Sequence, residues 1–287
     1  MIRFITDSTC EAPDELLSHP AVTVVPLYVL FGQESLRDNV DISREEFWKR
    51  LPSAKPLPTT SQVPPSGFLA PFREYTDAGD EVIALVISGK LSRTYDSAIS
   101  AQSEIPDRPI EVVDSLTTSV CLGLLLQDGL RMAEAGKTRA EIVARLNALR
   151  SNVHLLFALE TLEYLVRGGR IGRVQALAGA LLHVKPLIAV DHHDGKYNTV
   201  ARIRTLPRAL HAIADHLFSI HGDTPLWVTV LHGRFAEQAG ALVQELNTRL
   251  NVARIEILRI APVLGVHTGP GIVGAAAVPA HLLEDLL

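Results

Sequence analysis

Short apolar runs alternate with amphipathic stretches through the first half of the chain, a rhythm of strand and helix that continues to about residue 150. Arg3 to Ile5 is a short β run, after which Asp7, Ser8 and Thr9 offer caps for a helix with Pro13 in its first turn. Val22 to Phe31 reads as one longer β run. Ser43 to Glu46 has the spacing of a capping box and opens a helix to Leu51. Five prolines between Pro52 and Ser66 mark a stiff loop. A helix from about Gly67, a buried strand Val82 to Ile87, a polar turn (SGKLSRTY) and a helix to about Ser103 follow. Then come a strand Ile110 to Val113, a long apolar helix over 116–135 and a second capping box, Thr138 to Glu141, that starts a helix to Arg150. This alternation predicts a parallel sheet covered by helices.

After Ser151 and Asn152 the pattern changes. Val153 to Ala158 is a strand, and 161–182 reads as helix around a break at Gly168-Gly169. Pro186 to Asp191 pairs with Lys196 to Arg204 as a hairpin whose turn, His192-His-Asp-Gly195, ends in a favoured Asp-Gly dipeptide. A helix, a strand Leu226 to Leu231, another helix, a strand Ile255 to Ile260 and a glycine-rich tail complete the chain. The expectation is an α/β protein of two domains: a parallel-sheet α/β/α domain over 1–152 and a mixed-sheet α/β domain over 153–287.

Composition narrows the function classes. Hydrophobic residues make up 47% of the chain and aromatics only 5%, so the core is aliphatic. Twenty-seven basic against 32 acidic residues, with no basic run, argue against a nucleic-acid surface. Cys10 and Cys121 form no CxxC and read as inert thiols of a reducing compartment. No signal-peptide pattern and no apolar run of about 18 residues occurs, so a cytoplasmic protein without stable membrane insertion is expected.

Four polar segments are candidates for chemistry. Gly269-Pro-Gly271-Ile-Val-Gly274 satisfies G-x-G-x-x-G, but the chain ends at residue 287 and Ala275 to Pro279 reads as β rather than helix. The context excludes a dinucleotide fold. The glycines instead let a turn carrying His267 and Thr268 approach something closely. Thr59, Thr60, Ser61 and Gln62 are preorganised donors for an anion, or caps for the next helix. Ser88, Ser92 and Thr94 follow a buried strand at a helix start, where open parallel sheets bind ligands, or they cap that helix. Arg167, Arg170 and Arg173 are spaced by three, and Arg202, Arg204 and Arg208 come from the hairpin and beyond. They form a patch for an anion or acidic partner, or a solvated face.

No H-E-x-x-H, P-loop or G-x-S-x-G motif occurs, nor any metal-ligand spacing; His192 and His193 are unsuited to a metal pair, and no cofactor is expected. Asp7 and Asp114, near strand ends, read as caps. One enzymatic alternative is Ser92 as nucleophile, His267 as base and Asp7 or Asp114 as orienter of a lipid esterase or acyltransferase.

Taken in order, ITDST, TSQ before proline, LS-x-TY-x-SA, VVDS, LEYL-x-x-GGRI, the Lys-Pro-Leu-Ile strand and H-x-GPG resemble the DegV family of bacterial fatty-acid-binding proteins over essentially the whole chain. The resemblance implies a long-chain fatty acid buried largely in the second domain, with its carboxyl group at the domain interface. It also implies no enzymatic activity of the chain's own: the protein is the lipid-carrying subunit for a separate ATP-dependent fatty acid kinase subunit that makes acyl phosphate for phospholipid synthesis. By motif, Thr60, Ser61, Ser92, His267 and Arg170 fall at the carboxylate, and Arg173, Arg202 and Arg204 on the partner-facing surface. A lipid-responsive regulator whose arginines meet another partner is a further alternative. The chain departs from the family pattern with Gly89 in place of serine, Arg93 in place of glycine and Gly172 in place of serine.

Overall fold

The computed structural model describes residues 1–174 and 184–284. The chain opens on β1 (Ile2–Asp7), the short helix α1 (Asp14–Leu17) and β2 (Val22–Val25), which lies parallel to β1. Pro26 has no N–H for the ladder, so the apolar run to Phe31 divides there. Its second part, β3 (Tyr28–Phe31), pairs antiparallel with β4 (Glu34–Arg37) in another sheet. α2 (Arg44–Arg50) follows, with Ser43 accepting from the Glu46 N–H at 3.1 Å.

Within the proline-rich stretch lies a strand that was not expected, β5 (Thr59–Ser61), antiparallel to β3. The β-branched Thr59 and Thr60 suit a half-buried edge, and the order β4-β3-β5 makes a small sheet. α3 (Pro65–Asp77), β6 (Glu81–Val86), α4 (Thr94–Ser103), β7 (Ile110–Asp114), α5 (Ser119–Glu134) and α6 (Arg139–Leu149) complete this half. The main sheet, β2-β1-β6-β7, is parallel throughout, as the alternation predicts. The Thr138–Glu141 capping box forms in full. Asp7, expected as a helix cap, instead accepts from Thr9 and from the Ile87 N–H at 2.7 Å, tying β1 to the end of β6.

The second half supplies β8 (His154–Leu159), α7 (Glu163–Arg167), β9 (Lys185–Val190), β10 (Tyr197–Ile203), α8 (Leu206–His221), β11 (Leu226–His232), α9 (Ala236–Arg249), β12 (Val252–Arg259), α10 (Pro262–Thr268), β13 (Ile272–Pro279) and α11 (Ala280–Glu284). Its sheet, β10-β9-β8-β13-β11-β12, is mixed, with β11 and β12 parallel and the other pairs antiparallel. The hairpin turn forms as expected, with Gly195 at φ +69. The helix expected from residue 161 begins at Glu163 and is closed at Arg167 by the glycine pair; residues 175–182 of that expectation lie outside the described residues.

The glycine-rich tail is interior. β13 runs between β8 and β11, and at Gly274 a Cβ would overlap the Leu156 carbonyl and the Phe157 side chain. Gly274 therefore serves strand packing. Buried residues of the parallel sheet, such as Phe4 and Leu85, belong to one apolar cluster with Phe47 and Trp48 of α2 and with Leu155, Phe157 and Ile272. A second cluster under α8 and α9 takes the alternate residues, such as Leu156, Leu187 and Val228.

α10, another element the sequence reading did not anticipate, is held at its start by two carboxyl groups from the far end of the chain. The Ala261 N–H donates to Glu11 Oε1, and the Val263 N–H donates to Asp38 Oδ1 at 3.2 Å. Both acids are 1% exposed. Burial pushes Glu11 up to about 8, opposed by the Arg44 guanidinium 3.6 Å away, and pushes Asp38 up to about 7. A carboxyl group whose folded value lies above its unfolded value binds more protons when folded. Glu11 therefore contributes stability that is complete below about 4.5 and lost as pH rises towards 8. Glu11→Gln keeps an acceptor for Ala261 but cannot ionise, so its stability relative to wild type should rise between pH 4.5 and 8 and level off above. Glu11→Ala, which cannot ionise either, should cost about 1–3 kcal/mol below pH 4.5 and progressively less as pH rises towards 8. Denaturant unfolding at a series of pH values measures both, and a constant difference between wild type and Glu11→Gln would refute the assignment.

Candidate functional site

The last turn of α10 carries His267 against β5. Strand alternation turns Thr60 inward while Thr59 and Ser61 are exposed. Thr60 Oγ1 and His267 Nε2 lie 2.8 Å apart. They border a cavity of about 250 Å³ whose wall includes Pro58, Tyr164, Gly168 and Arg170. Burial, and secondarily the Arg170 charge, drive the imidazole down to about 3, so the ring is neutral at physiological pH.

Its tautomer follows from the packing. Gly168 stands so close to Nδ1 that a Cβ there would overlap it, and Nδ1 has no hydrogen-bond partner among the described residues. A buried N–H without an acceptor costs more than a ring nitrogen without a donor, so the favoured tautomer carries its proton on Nε2 and donates to Thr60 Oγ1. The Thr60 hydroxyl hydrogen is then left free to donate to another acceptor.

Arg170 adds the site's formal charge. Its Nη1 donates to the Gly168 carbonyl at 2.7 Å and its Nε to the Leu91 carbonyl at 3.4 Å. No carboxylate pairs with it among the described residues. Through Leu91, Arg170 reaches the loop of Ser92, whose Oγ lies 2.9 Å from Thr94 Oγ1 and accepts from the Thr94 N–H at 3.2 Å. Of the five residues expected at a carboxylate, Thr60, His267 and Arg170 thus share one cavity. Ser92 stands one residue beyond the Arg170 contact, and Ser61 is exposed on the opposite face of β5.

The three arginines expected on a partner surface differ from Arg170. Arg173 is paired with Asp191 at 2.9 Å and Asp194 at 2.5 Å, both beside the hairpin turn. Arg202 on β10 and Arg204 just beyond it are exposed. The departures from the family pattern also have local reasons. Arg93 is exposed and lies 3.6 Å from Asp96. A Cβ at Gly89 would come 3.1 Å from Asp114 Oδ2, and Gly172 has φ +50. The esterase arrangement is not assembled: Asp7 is committed to Thr9 and Ile87, Asp114 to the Gly89 and Leu116 N–H groups, and His267 to Thr60.

Behind α10 lies a second, apolar cavity of about 20 Å³. Leu264 and Thr268 line it, whereas Val266 and His267 line the first, so the helix is the wall between them. Phe157 and Tyr197, in edge-to-face contact at 5.4 Å, form another side. Burial raises the Tyr197 phenol to about 12 and the Arg170 charge opposes that shift, which places Tyr197 within the field of the first cavity's cation. Sequence reasoning missed Tyr164, Gly168 and Tyr197; the Gly168-Gly169 break was the one available signal, read as a helix stop rather than as room for an imidazole. Among the described residues, no group of His, Cys, Asp or Glu could hold a metal ion, and no helix is long and apolar enough to cross a membrane.

The model of the DegV family matches residues 1–280. A DegV domain-containing protein of Streptomyces coelicolor is 32% identical over 275 residues, covering 95% of this chain and 96% of the relative. One from Deinococcus radiodurans is 34% identical, covering 97% and 98%. Among solved structures, a DegV protein from Thermus thermophilus described for its fatty acid binding superposes with a TM-score of 0.89 at 34% identity, covering 97% of this chain and 99% of that one. A stearic-acid-binding protein from Eubacterium ventriosum gives 0.88 at 30% identity, covering 99% and 100%. With the match spanning the parallel sheet, the mixed sheet and both cavities, this chain belongs to the DegV family.

Proposed function

We propose that this protein binds a long-chain fatty acid and presents its carboxylate to a separate ATP-dependent kinase subunit, which converts it to acyl phosphate. The observation that carries the reading is the Thr60–His267 pair at 2.8 Å beside Arg170, on one side of a helix whose other side lines an apolar cavity. The fatty acids bound by the Thermus and Eubacterium relatives support it. In this reading the units 1–152 and 153–287 act as two domains. The first supplies Thr60 and the Ser92 loop, with Ser61 at its rim; the second supplies His267, Arg170 and the acyl chain's surroundings.

The chemistry follows from the donors. His267 Nε2–H polarises the Thr60 hydroxyl, which donates to a carboxylate oxygen, and Arg170 supplies a positive field while its nearest bonds go to carbonyls. A neutral hydroxyl orients the carboxylate without the tight ion pair that would stabilise its ground state and blunt it as a nucleophile towards a phosphoryl group. Affinity comes from the tail at about 0.8 kcal/mol per buried CH₂. Ligand pockets ordinarily occupy about 300–1,000 Å³, so the side chains around the second cavity must part to admit an acyl chain. Arg202 and Arg204, exposed and beyond the site, offer positive charge to the kinase subunit, and Arg173 joins them where an acidic group of that subunit replaces Asp191 or Asp194 as its partner.

Native mass spectrometry of the purified protein, with solvent extraction, should release one equivalent of a fatty acid of about 14–18 carbons, the length whose buried CH₂ groups supply the affinity. A protein that is empty and takes up no added fatty acid would overturn the reading. Thr60→Val should weaken binding of a given fatty acid by about tenfold, as loss of a hydrogen bond to a charged group does. Gly168→Ala should weaken it at least as much by displacing His267, with little change for either in the far-ultraviolet spectrum. Mixing the loaded protein with the kinase subunit encoded in the same genome and ATP should consume the lipid and yield a hydroxamate on trapping with hydroxylamine. Loaded protein that binds lipid but yields no hydroxamate would favour the regulator alternative.

A further inference from the structure

The second cavity is largely apolar; besides Tyr197 and Thr268, its hydroxyl-bearing residues stand where α5 begins. Thr118 and Ser119, 2% and 4% exposed, line it together with Leu155, Phe157, Leu264 and Ile272. The hydroxyl oxygens of both are buried and have no hydrogen-bond partner among the described residues. Of the two other hydroxyl-bearing residues in the wall, Thr268 donates to the Leu264 carbonyl at 3.0 Å, and Tyr197 packs its ring edge-to-face with Phe157.

The idle pair is unusual for its position. Thr118 is the N-cap of a 16-residue helix, where a threonine hydroxyl ordinarily accepts from an N–H in the first turn, yet it makes no such bond. Ser119 is held at φ +58, in the left-handed region that a serine enters only at a cost. Among the described residues neither hydroxyl is used to build the fold. A buried hydroxyl left unpaired is unfavourable, and a valine or alanine in its place would remove the penalty. An acyl chain made only of CH₂ groups would leave both oxygens unpaired in the loaded protein as well.

Resting on the fatty-acid reading above, we infer that Thr118 and Ser119 form a polar station for the tail, and that the preferred ligand is an oxygenated fatty acid, one whose chain carries a hydroxyl group that meets them. The station can both donate to and accept from a ligand hydroxyl, and the first turn of α5 adds a favourable field for its oxygen. Sites built to hydrogen-bond a ligand hydroxyl discriminate strongly against the analogue that lacks it, whereas an all-apolar pocket discriminates weakly in either direction.

The test compares octadecanoic acid with a series of hydroxyoctadecanoic acids that differ in where the hydroxyl sits, on the wild-type protein and on the Thr118→Val/Ser119→Ala variant. One position in the series should bind wild type about tenfold or more tighter than octadecanoic acid, the others more weakly than it. In the variant that preference should vanish while octadecanoic acid binds at least as well as before. The unliganded variant should melt no lower than wild type, since no hydrogen bond is lost. If wild type binds octadecanoic acid but prefers no hydroxylated isomer, or if the variant keeps the preference, the polar station is refuted and the carrier reading stands. If no fatty acid binds at all, both fall. A single variant, Thr118→Val, nearly isosteric, reports the same ratio should the double variant fold poorly.

Discussion

The anchoring of α10 by Glu11 and Asp38 is the constraint on which the site depends. A seven-residue helix has too few internal bonds to persist alone, and this one is fixed at its first turn by carboxyl groups separated from it by 250 and 225 residues of chain. Its middle is fixed by packing: Gly265 lies so near Phe47 and Trp48 that a Cβ would collide with both rings. With start and middle set, the last turn has one place to go, and His267 meets Thr60. The same helix separates the two cavities, so a small error in its seating would move the polar cavity and the apolar one together.

Burial then decides the electrostatics of what α10 delivers. Glu11 and Asp38 are pushed towards their neutral forms, which can still accept hydrogen bonds, and His267 is pushed towards neutrality from the other side. Among the described residues Arg170 is left without a carboxylate, while Arg167, which also lines the first cavity, is paired with Glu163, and Arg173 is paired with Asp191 and Asp194. An anion arriving at the cavity meets the Arg170 guanidinium and the Thr60 hydroxyl. It does not have to displace an acid already in place.

The parallel sheet, the second capping box and the hairpin at Gly195 were legible because each is written in local sequence: period-two apolar runs, Thr138 with Glu141, and Asp194 before Gly195. Other features were not. The break at Pro26 has a local cause, one missing N–H inside an apolar run, whereas β5 among prolines and α10 among glycines take their conformations from partners distant in sequence, namely the Tyr28 strand for β5 and Glu11 with Asp38 for α10. At the site, His267, Thr60 and Arg170 could be named from residue type and motif. Tyr164, Gly168 and Tyr197 could not, since a glycine that makes room for an imidazole looks the same in sequence as one that ends a helix.

The loops around the first cavity also join the two sheets. The Ser88 hydroxyl, past the end of β6, donates to the Gly195 carbonyl in the β9–β10 turn at 2.9 Å, in a space that a Cβ at Gly195 would fill. Three residues on, the Leu91 carbonyl accepts from Arg170, and Arg150 donates to the Asp114 carbonyl at 3.1 Å. The segment carrying Ser92 is thus pinned from the second half of the chain at Ser88 and at Leu91. Under the proposed function, a fatty acid bonded to Thr60 and lying against Arg170 and His267 adds to the same seam, so its binding would also stabilise the contact between the halves.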